Sequence, residues 1–296
     1  MTELQGTYTA LVTPFNEDMS IDYESFKKLI NHQIENGVEG IVVCGSTGES
    51  ATLNVKEKIS LMVTAIDHVK GRIPVIVGTG SNSTSASIDL TLVAKEHGAD
   101  AVLLVAPYYN KPSQEGLYYH FKAINDACDI PQIIYNVPSR SGVNIQAEVQ
   151  VKLAKDCKNI IATKEASGNM DQVMEVLRTR PKGFAVLSGE DSLAVPLVNM
   201  GADGVIAVTS NYAPKEYSEA IRQALKSNTK TASRMHYKLF ESIQMNFVET
   251  NPIPVKTALA ILGILPEPNF RSPLFPMHQD NRKRLEKALR RAKIGK

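Results

Sequence analysis

In the stretch IIATKEASGN, residues 160–169, an ammonium group at Lys164 ends a run of apolar and small residues that reads as a buried strand. Side chains alternate along a strand, so one of Lys164 and Glu165 should face a closed interior and the other the helix layer. An inward lysine loses water, its pKa falls, and its free amine can attack a carbonyl carbon to form a Schiff base. An outward or rim lysine would be solvated or paired with Glu165. Position alone leaves both readings open.

Other residues able to do chemistry also follow apolar runs. GSTGES, residues 45–50, joins glycine turns to the Ser46 and Thr47 hydroxyls, and its backbone N–H groups can cradle a carboxylate or phosphate. No P-loop lysine follows, which argues against a nucleotide; a glycine-rich turn capping the next helix would look the same. PYYNKP and YNVPSR put the phenols of Tyr108, Tyr109 and Tyr135 at strand ends, and Arg140 adds a guanidinium fork that suits a carboxylate. Any one of these tyrosines could instead be a core or interface residue with a satisfied hydroxyl. In SGED, Gly189 permits close backbone approach, and Asp191 or Ser192 is expected to cap the following helix. Histidines 32, 68, 97, 120, 236 and 278 form no ligand cluster with carboxylates, so no catalytic metal is expected.

The elements that must position these groups repeat along the chain. TYTALVTP, GIVVCG, PVIVGTG, AVLLVAP, QIIYNVP, IIATKEA, FAVLSGED and GVIAVTSN are short apolar runs, each followed by a helical pattern. In the first helix Phe26, Leu29, Ile30 and Ile34 share a face, with Gly37 as a stop; in the second, Asn54 and Glu57 have capping-box spacing. Strands of this kind alternating with helices predict an α/β fold, a (β/α)8 TIM barrel over residues 1–225. A doubly wound open sheet is the competing architecture, weakened by the lack of GxGxxG after the first strand. Residues 226–296 read as a small C-terminal appendage of three helices, separated by NPIP and LPEPNFRSPLFP. Strand ends in such a barrel carry function, which is where the candidate residues lie.

Composition narrows the classes. The chain has 296 residues, 43% hydrophobic content and a formal charge of +2, so no global field favours nucleic acid or anionic membrane. Its C-terminal DNRKRLEKALRRAKIGK is basic and reads as a solvated helix face. Cys44, Cys128 and Cys157 show no metal or redox spacing. No signal peptide or apolar run of about 18 residues is evident, and a cytoplasmic location is expected.

The ordered set GSTGES, PYYNKPSQEGLYYHF, YNVPSRSGV, KEASGN, SGED and GVIAVTSN resembles the dihydrodipicolinate synthase family of pyruvate-lysine class I aldolases, from the first strand to NPIPVKTAL. The resemblance implies a lyase of lysine and diaminopimelate biosynthesis that condenses pyruvate with L-aspartate 4-semialdehyde. Lys164 would be the Schiff-base nucleophile, Tyr135 the proton relay, and Ser46 and Tyr109 the rest of a hydroxyl chain. Tyr109 would come from a neighbouring subunit of a dimer within a homotetramer. Thr47 and Ser46 would bind the pyruvate carboxylate and Arg140 that of the semialdehyde, while Gly189 and Ile206 would line the pocket. No cofactor is implied, because the imine is the electron sink.

Two departures stand out. Ser46 replaces the usual threonine, keeping the hydroxyl without the β-methyl that restricts its rotamer. At the family's lysine-inhibition site Ser50, Ala51, Asn82 and Tyr108 match, but Val55, Lys58 and Ala86 replace two histidines and a glutamate. Weak or absent inhibition by lysine is expected. Competing readings are a sialic acid or 2-keto-3-deoxy sugar acid lyase, which Arg140 disfavours, and a non-catalytic small-acid-binding barrel, for which the full hydroxyl and lysine set has no use. Nucleic-acid binding by the C-terminal helix ranks last.

Overall fold

The computed structural model describes residues 4–294; residues 1–3 and 295–296, the outer ends of the two expected regions and of the basic tail, lie outside the described residues. Strands β1 (Gly6–Ala10), β2 (Gly40–Val43), β3 (Val75–Gly78), β4 (Ala101–Val105), β5 (Gln132–Asn136), β6 (Ile160–Glu165), β7 (Ala185–Ser188) and β8 (Gly204–Ala207) close into a barrel in chain order. Seven lie within their apolar runs and β1 begins one residue before its run, and the open-sheet alternative falls because β1 pairs with β8 in parallel. At that seam a Cβ on Gly204 would lie 2.0 Å from the Gly6 carbonyl oxygen, so a side chain there would hold the barrel open.

The helices form where their signals stood. Phe26, Leu29 and Ile30 bury one face of Tyr23–Glu35, and Gly37 follows with φ +75°. Asn54 Oδ1 accepts from the Glu57 N–H at 3.0 Å while Glu57 Oε2 accepts from the Asn54 N–H at 2.9 Å, the reciprocal cap that starts Val55–Val69. The expected cap after β7 does not form. Ala194–Asn199 begins without a side-chain cap, because Asp191 is drawn instead to the end of β8.

Two apolar layers result. An inner cluster that includes Tyr8, Val42, Ile76, Leu103, Ile133, Leu187 and Ile206 fills the barrel. An outer cluster joins strands to helices and continues into the C-terminal helices Thr229–Met245, Ile253–Ile261 and Gln279–Ala292 through Leu239, Ile243, Leu259, Leu285 and Leu289. A buried ion pair ties the same regions together, with Lys256 Nζ 2.7 Å from Glu49 Oε1. Burial pushes the Glu49 carboxyl up and the Lys256 amine down, against the opposing pull of each partner on the other.

The parity of β6 decides which way Lys164 points. Ile160 faces the outer cluster, so strict alternation would send Lys164 outward as well. The pairing of β5 with β6 shifts between Gln132 and Ile133, from Gln132↔Ile160 to Ile133↔Ala162. One extra residue, Ile161, is absorbed as a bulge. After it Ala162 belongs to the inner cluster, Thr163 donates outward to Gln150 Oε1 at 2.8 Å, and Lys164 turns inward beside Tyr135.

Candidate active site at the C-terminal mouth of the barrel

A cavity of about 630 Å³ opens where the strands end, walled by Ser46, Thr47, Tyr135, Arg140, Lys164 and Gly189, among others. Lys164 is buried at its base, and desolvation lowers its pKa from 10.5 to about 8, although Asp191 and Glu190 act to raise it. Relative to an ordinary lysine, that increases the free-amine share near pH 7 about 300-fold. Its Nζ lies 4.2 Å from the centroid of the Tyr135 ring, a face that favours the cation when it forms. A pocketed amine of this kind can add to a carbonyl that enters from the mouth.

Gly189 gives Lys164 its room. A Cβ there would meet Ala166 Cβ at 2.5 Å and Lys164 Cε at 3.0 Å. The lysine chain can swing aside, but Ala166 Cβ is fixed to its backbone. Gly189→Ala is therefore expected to destabilise the fold by about 1–3 kcal/mol through overpacking and to slow imine formation about tenfold as Lys164 is displaced. Thermal melts and single-turnover trapping of the imine check both parts.

The hydroxyls of Tyr135, Ser46 and Thr47 line the same cavity. Burial pushes the Tyr135 phenol up to about 12, so it remains a proton donor at neutral pH. Ser46 approaches that phenol and pulls its pKa down a little, without closing a well-formed hydrogen bond. Ser46 and Thr47 begin a short 3-10 turn, Ser46–Gly48, in which the Gly48 N–H returns to the Gly45 carbonyl. Among the described residues the Ser46 and Thr47 N–H groups have no protein acceptor, which leaves them free to hold an anion. Thr47 is buried, and its Oγ1 accepts from Asn251 Nδ2 at 2.9 Å. Arg140 is exposed at the rim, on the short helix Pro138–Ser141, and donates from Nη2 to the Asn251 carbonyl at 3.4 Å.

The acids near Lys164 have separate tasks. Glu165 faces outward and is buried; its carboxylate accepts from Asn136, Gln150, Gln172 and the Ser167 N–H at 2.7–3.2 Å. It locks the outer side of the strand that carries Lys164. Asp191 is fully buried and accepts from the Val208 and Thr209 N–H groups and from Thr209 Oγ1 at 2.5–3.1 Å, tying the end of β7 to that of β8. Burial raises its pKa and these bonds oppose the rise. Glu190 stands in the cavity wall with its carboxyl also pushed up by burial.

Three expected residues sit elsewhere. Tyr109 is 89% exposed and does not line the cavity of its own chain. It occupies a three-residue turn closed by the Asn110 N–H on the Tyr108 carbonyl at 2.8 Å, with φ +70°, a strained conformation for a non-glycine residue. Ile206 is fully buried in the inner apolar cluster, because its place on β8 lies deeper in the barrel; Val208 lines the cavity on this side. A neighbouring cavity of about 380 Å³ brings together Ser50, Ala51, Tyr108 and Lys58. Asn82 is not in its wall; its main-chain carbonyl accepts from Asn110 Nδ2 at 2.9 Å.

Sequence reasoning missed one part of the site, the segment from Phe247 to Asn251, which reaches back from the C-terminal helices to cover the mouth. Its only local signal is the Asn-Pro dipeptide that ends it.

The sequence profile of the Dihydrodipicolinate synthetase family matches residues 3–292. A 4-hydroxy-tetrahydrodipicolinate synthase from Aquifex aeolicus is 47% identical over 287 residues, covering 97% of both chains. One from Nitratidesulfovibrio vulgaris strain DP4 is 48% identical over 292 residues, covering 99% of both. The crystal structure of dihydrodipicolinate synthase from Aquifex aeolicus is similar at a TM-score of 0.96 and 46% identity, covering 99% of each chain.

Proposed function

The chain belongs to the dihydrodipicolinate synthetase family, and from that membership we propose that its cavity condenses pyruvate with L-aspartate 4-semialdehyde to 4-hydroxy-tetrahydrodipicolinate. The observation that carries the reading is Lys164, buried beside Tyr135 with its pKa lowered to about 8 at the base of an open cavity. The free amine of Lys164 attacks the ketone carbon of pyruvate, and loss of water leaves an imine. The cationic nitrogen draws electrons as the methyl group gives up a proton, forming an enamine. Its carbon attacks the aldehyde, whose oxygen gains a proton, and the substrate amine then closes the ring at the former ketone carbon and displaces Lys164.

Tyr135 relays protons with Ser46, and Thr47 with the Ser46 N–H holds the pyruvate carboxylate. Arg140 at the rim meets the carboxylate of the semialdehyde, a charge that a polyhydroxylated sugar acid would not require. In this reading residues 1–225 form the barrel that supplies the chemistry, and the C-terminal region 226–296 contributes the segment Phe247–Asn251 to the cavity wall. Tyr109, exposed on its own chain, completes the hydroxyl chain of a neighbouring copy in a dimer, and two such dimers form a tetramer. Borohydride reduction with pyruvate followed by peptide mapping tests the nucleophile: an adduct on Lys164 is expected, and its absence overturns the mechanism. An adduct without ring product would instead indicate a lyase. Because the amine titrates near 8, adduct formation should rise about tenfold per pH unit below 8 and then level off.

The lining of the second cavity supports weak or absent inhibition by lysine. Its wall holds the cations Lys58 and Arg140, and its one carboxylate, Glu49, is already engaged by Lys256. A cationic effector meets two cations there and one acid whose charge Lys256 already offsets. The expected inhibition constant for lysine is above about 1 mM, and strong inhibition in steady-state assays below that concentration would sink the expectation.

A further inference from the structure

Asn251 lies outside the barrel, in the connection between Thr229–Met245 and Ile253–Ile261, yet it touches both groups assigned to carboxylates. Its Nδ2 donates to Thr47 Oγ1 at 2.9 Å, and its main-chain carbonyl accepts from Arg140 Nη2 at 3.4 Å. The side chain is buried, and its Oδ1 has no partner among the described residues.

The direction of the bond to Thr47 has a chemical consequence. A hydroxyl has one proton to give. When Thr47 Oγ1 accepts from the Asn251 amide, that proton is left to point into the cavity toward an anion. The opposite amide orientation would draw the proton to Asn251 Oδ1 and turn a lone pair toward the incoming carboxylate. Arg140 presents five donors in a rigid fork, and fixing one on the Asn251 carbonyl orients the rest.

We propose that the Asn251 side chain is a positioning group for the pyruvate carboxylate, setting the Thr47 hydroxyl as its donor, while the Asn251 main-chain carbonyl orients the Arg140 guanidinium for the second acid. The inference rests on the pyruvate reading above and adds to it a specificity determinant supplied from the C-terminal helices.

Cyanoborohydride trapping tests it on the full-length protein, comparing pyruvate with its uncharged methyl ester in the wild type, Asn251→Ala and Asn251→Asp. The preference for pyruvate over the ester should fall about tenfold in Asn251→Ala and further in Asn251→Asp, which can only accept from Thr47 and adds a like charge. In steady state the KM for pyruvate should rise more than kcat falls, while the KM for the semialdehyde should change less, because the main-chain carbonyl that holds Arg140 survives both substitutions. In a Thr47→Val background, Asn251→Ala should cost less than about threefold of the remaining preference, because the two act through one bond. A general structural defect would slow both ketones together and leave the preference unchanged, and that result overturns the inference. Full additivity with Thr47→Val overturns it as well. If Asn251→Ala does not fold, Asn251→Asp, nearly identical in shape, carries the comparison, and a preference equal to the wild type refutes the role. A wild type that traps no pyruvate would overturn the parent reading too, whereas trapping with an unmoved preference overturns this inference alone.

Discussion

Lys164→Met is expected to lower kcat/KM at least about a thousandfold and to abolish the pyruvate adduct, while making the folded chain more stable. The loss of activity follows from the chemistry, since among the described residues Lys164 is the one amine that lines the cavity walled by Tyr135, Arg140 and Gly189. The gain in stability follows from the proton balance. Lys164 titrates at about 8 in the folded chain, against 10.5 when free. Because the folded pKa is the lower one, the folded state binds the proton less well, and its stability rises with pH between those values. Below pH 8 the fold bears the full cost of a buried ammonium, of order 3 kcal/mol. Methionine has similar bulk and no charge, so it removes that cost. The variant should melt above the wild type at pH 7, and the difference should shrink as the pH approaches 10.5. A variant that is inactive but melts lower at pH 7 would show that Lys164 contributes to packing and is not held at a cost to stability. Retained activity would remove Lys164 from the mechanism.

The inward turn of Lys164 also marks where sequence reading stopped. The eight strands and the helices between them were legible because each apolar run and each helical face repeats a period that packing enforces, as Phe26, Leu29 and Ile30 do. The choice between Lys164 and Glu165 was not, because the bulge at Ile161 reverses the parity of β6 and leaves no mark in the composition of the strand. What settles it is outer-layer chemistry. Asn136, Gln150 and Gln172, on three separate elements, converge on the Glu165 carboxylate, and only the folded chain brings them together. Asp191 escaped for a similar reason: a helix cap is a local pattern, whereas its bonds to Val208 and Thr209 cross from one strand end to the next. Phe247 to Asn251 joined the site through tertiary contact with a segment whose local sequence reads only as a turn. The candidates legible in advance were those whose side chains can do chemistry by type, and those missed position others.

Tyr135→Phe is expected to separate those two kinds of role. It removes one oxygen and keeps the ring, so the buried packing and the face that Lys164 Nζ meets at 4.2 Å both remain. The phenol makes no well-formed hydrogen bond to Ser46, so stability should change by less than about 1 kcal/mol. With its pKa raised to about 12, the phenol does not ionise at neutral pH and cannot serve as a standing base. It can only take one proton as it gives another, a relay that needs the oxygen itself. Losing that relay should lower kcat by about 100- to 1000-fold, while pyruvate still forms a trappable adduct on Lys164 at a reduced rate. Rapid-quench trapping alongside ring-product assays distinguishes the cases. An adduct that forms slowly and goes on to little product places Tyr135 in proton transfer. A fall in kcat below about tenfold would assign the relay to another group, and a loss of adduct with a lowered melting temperature would mean that the hydroxyl shapes the pocket instead.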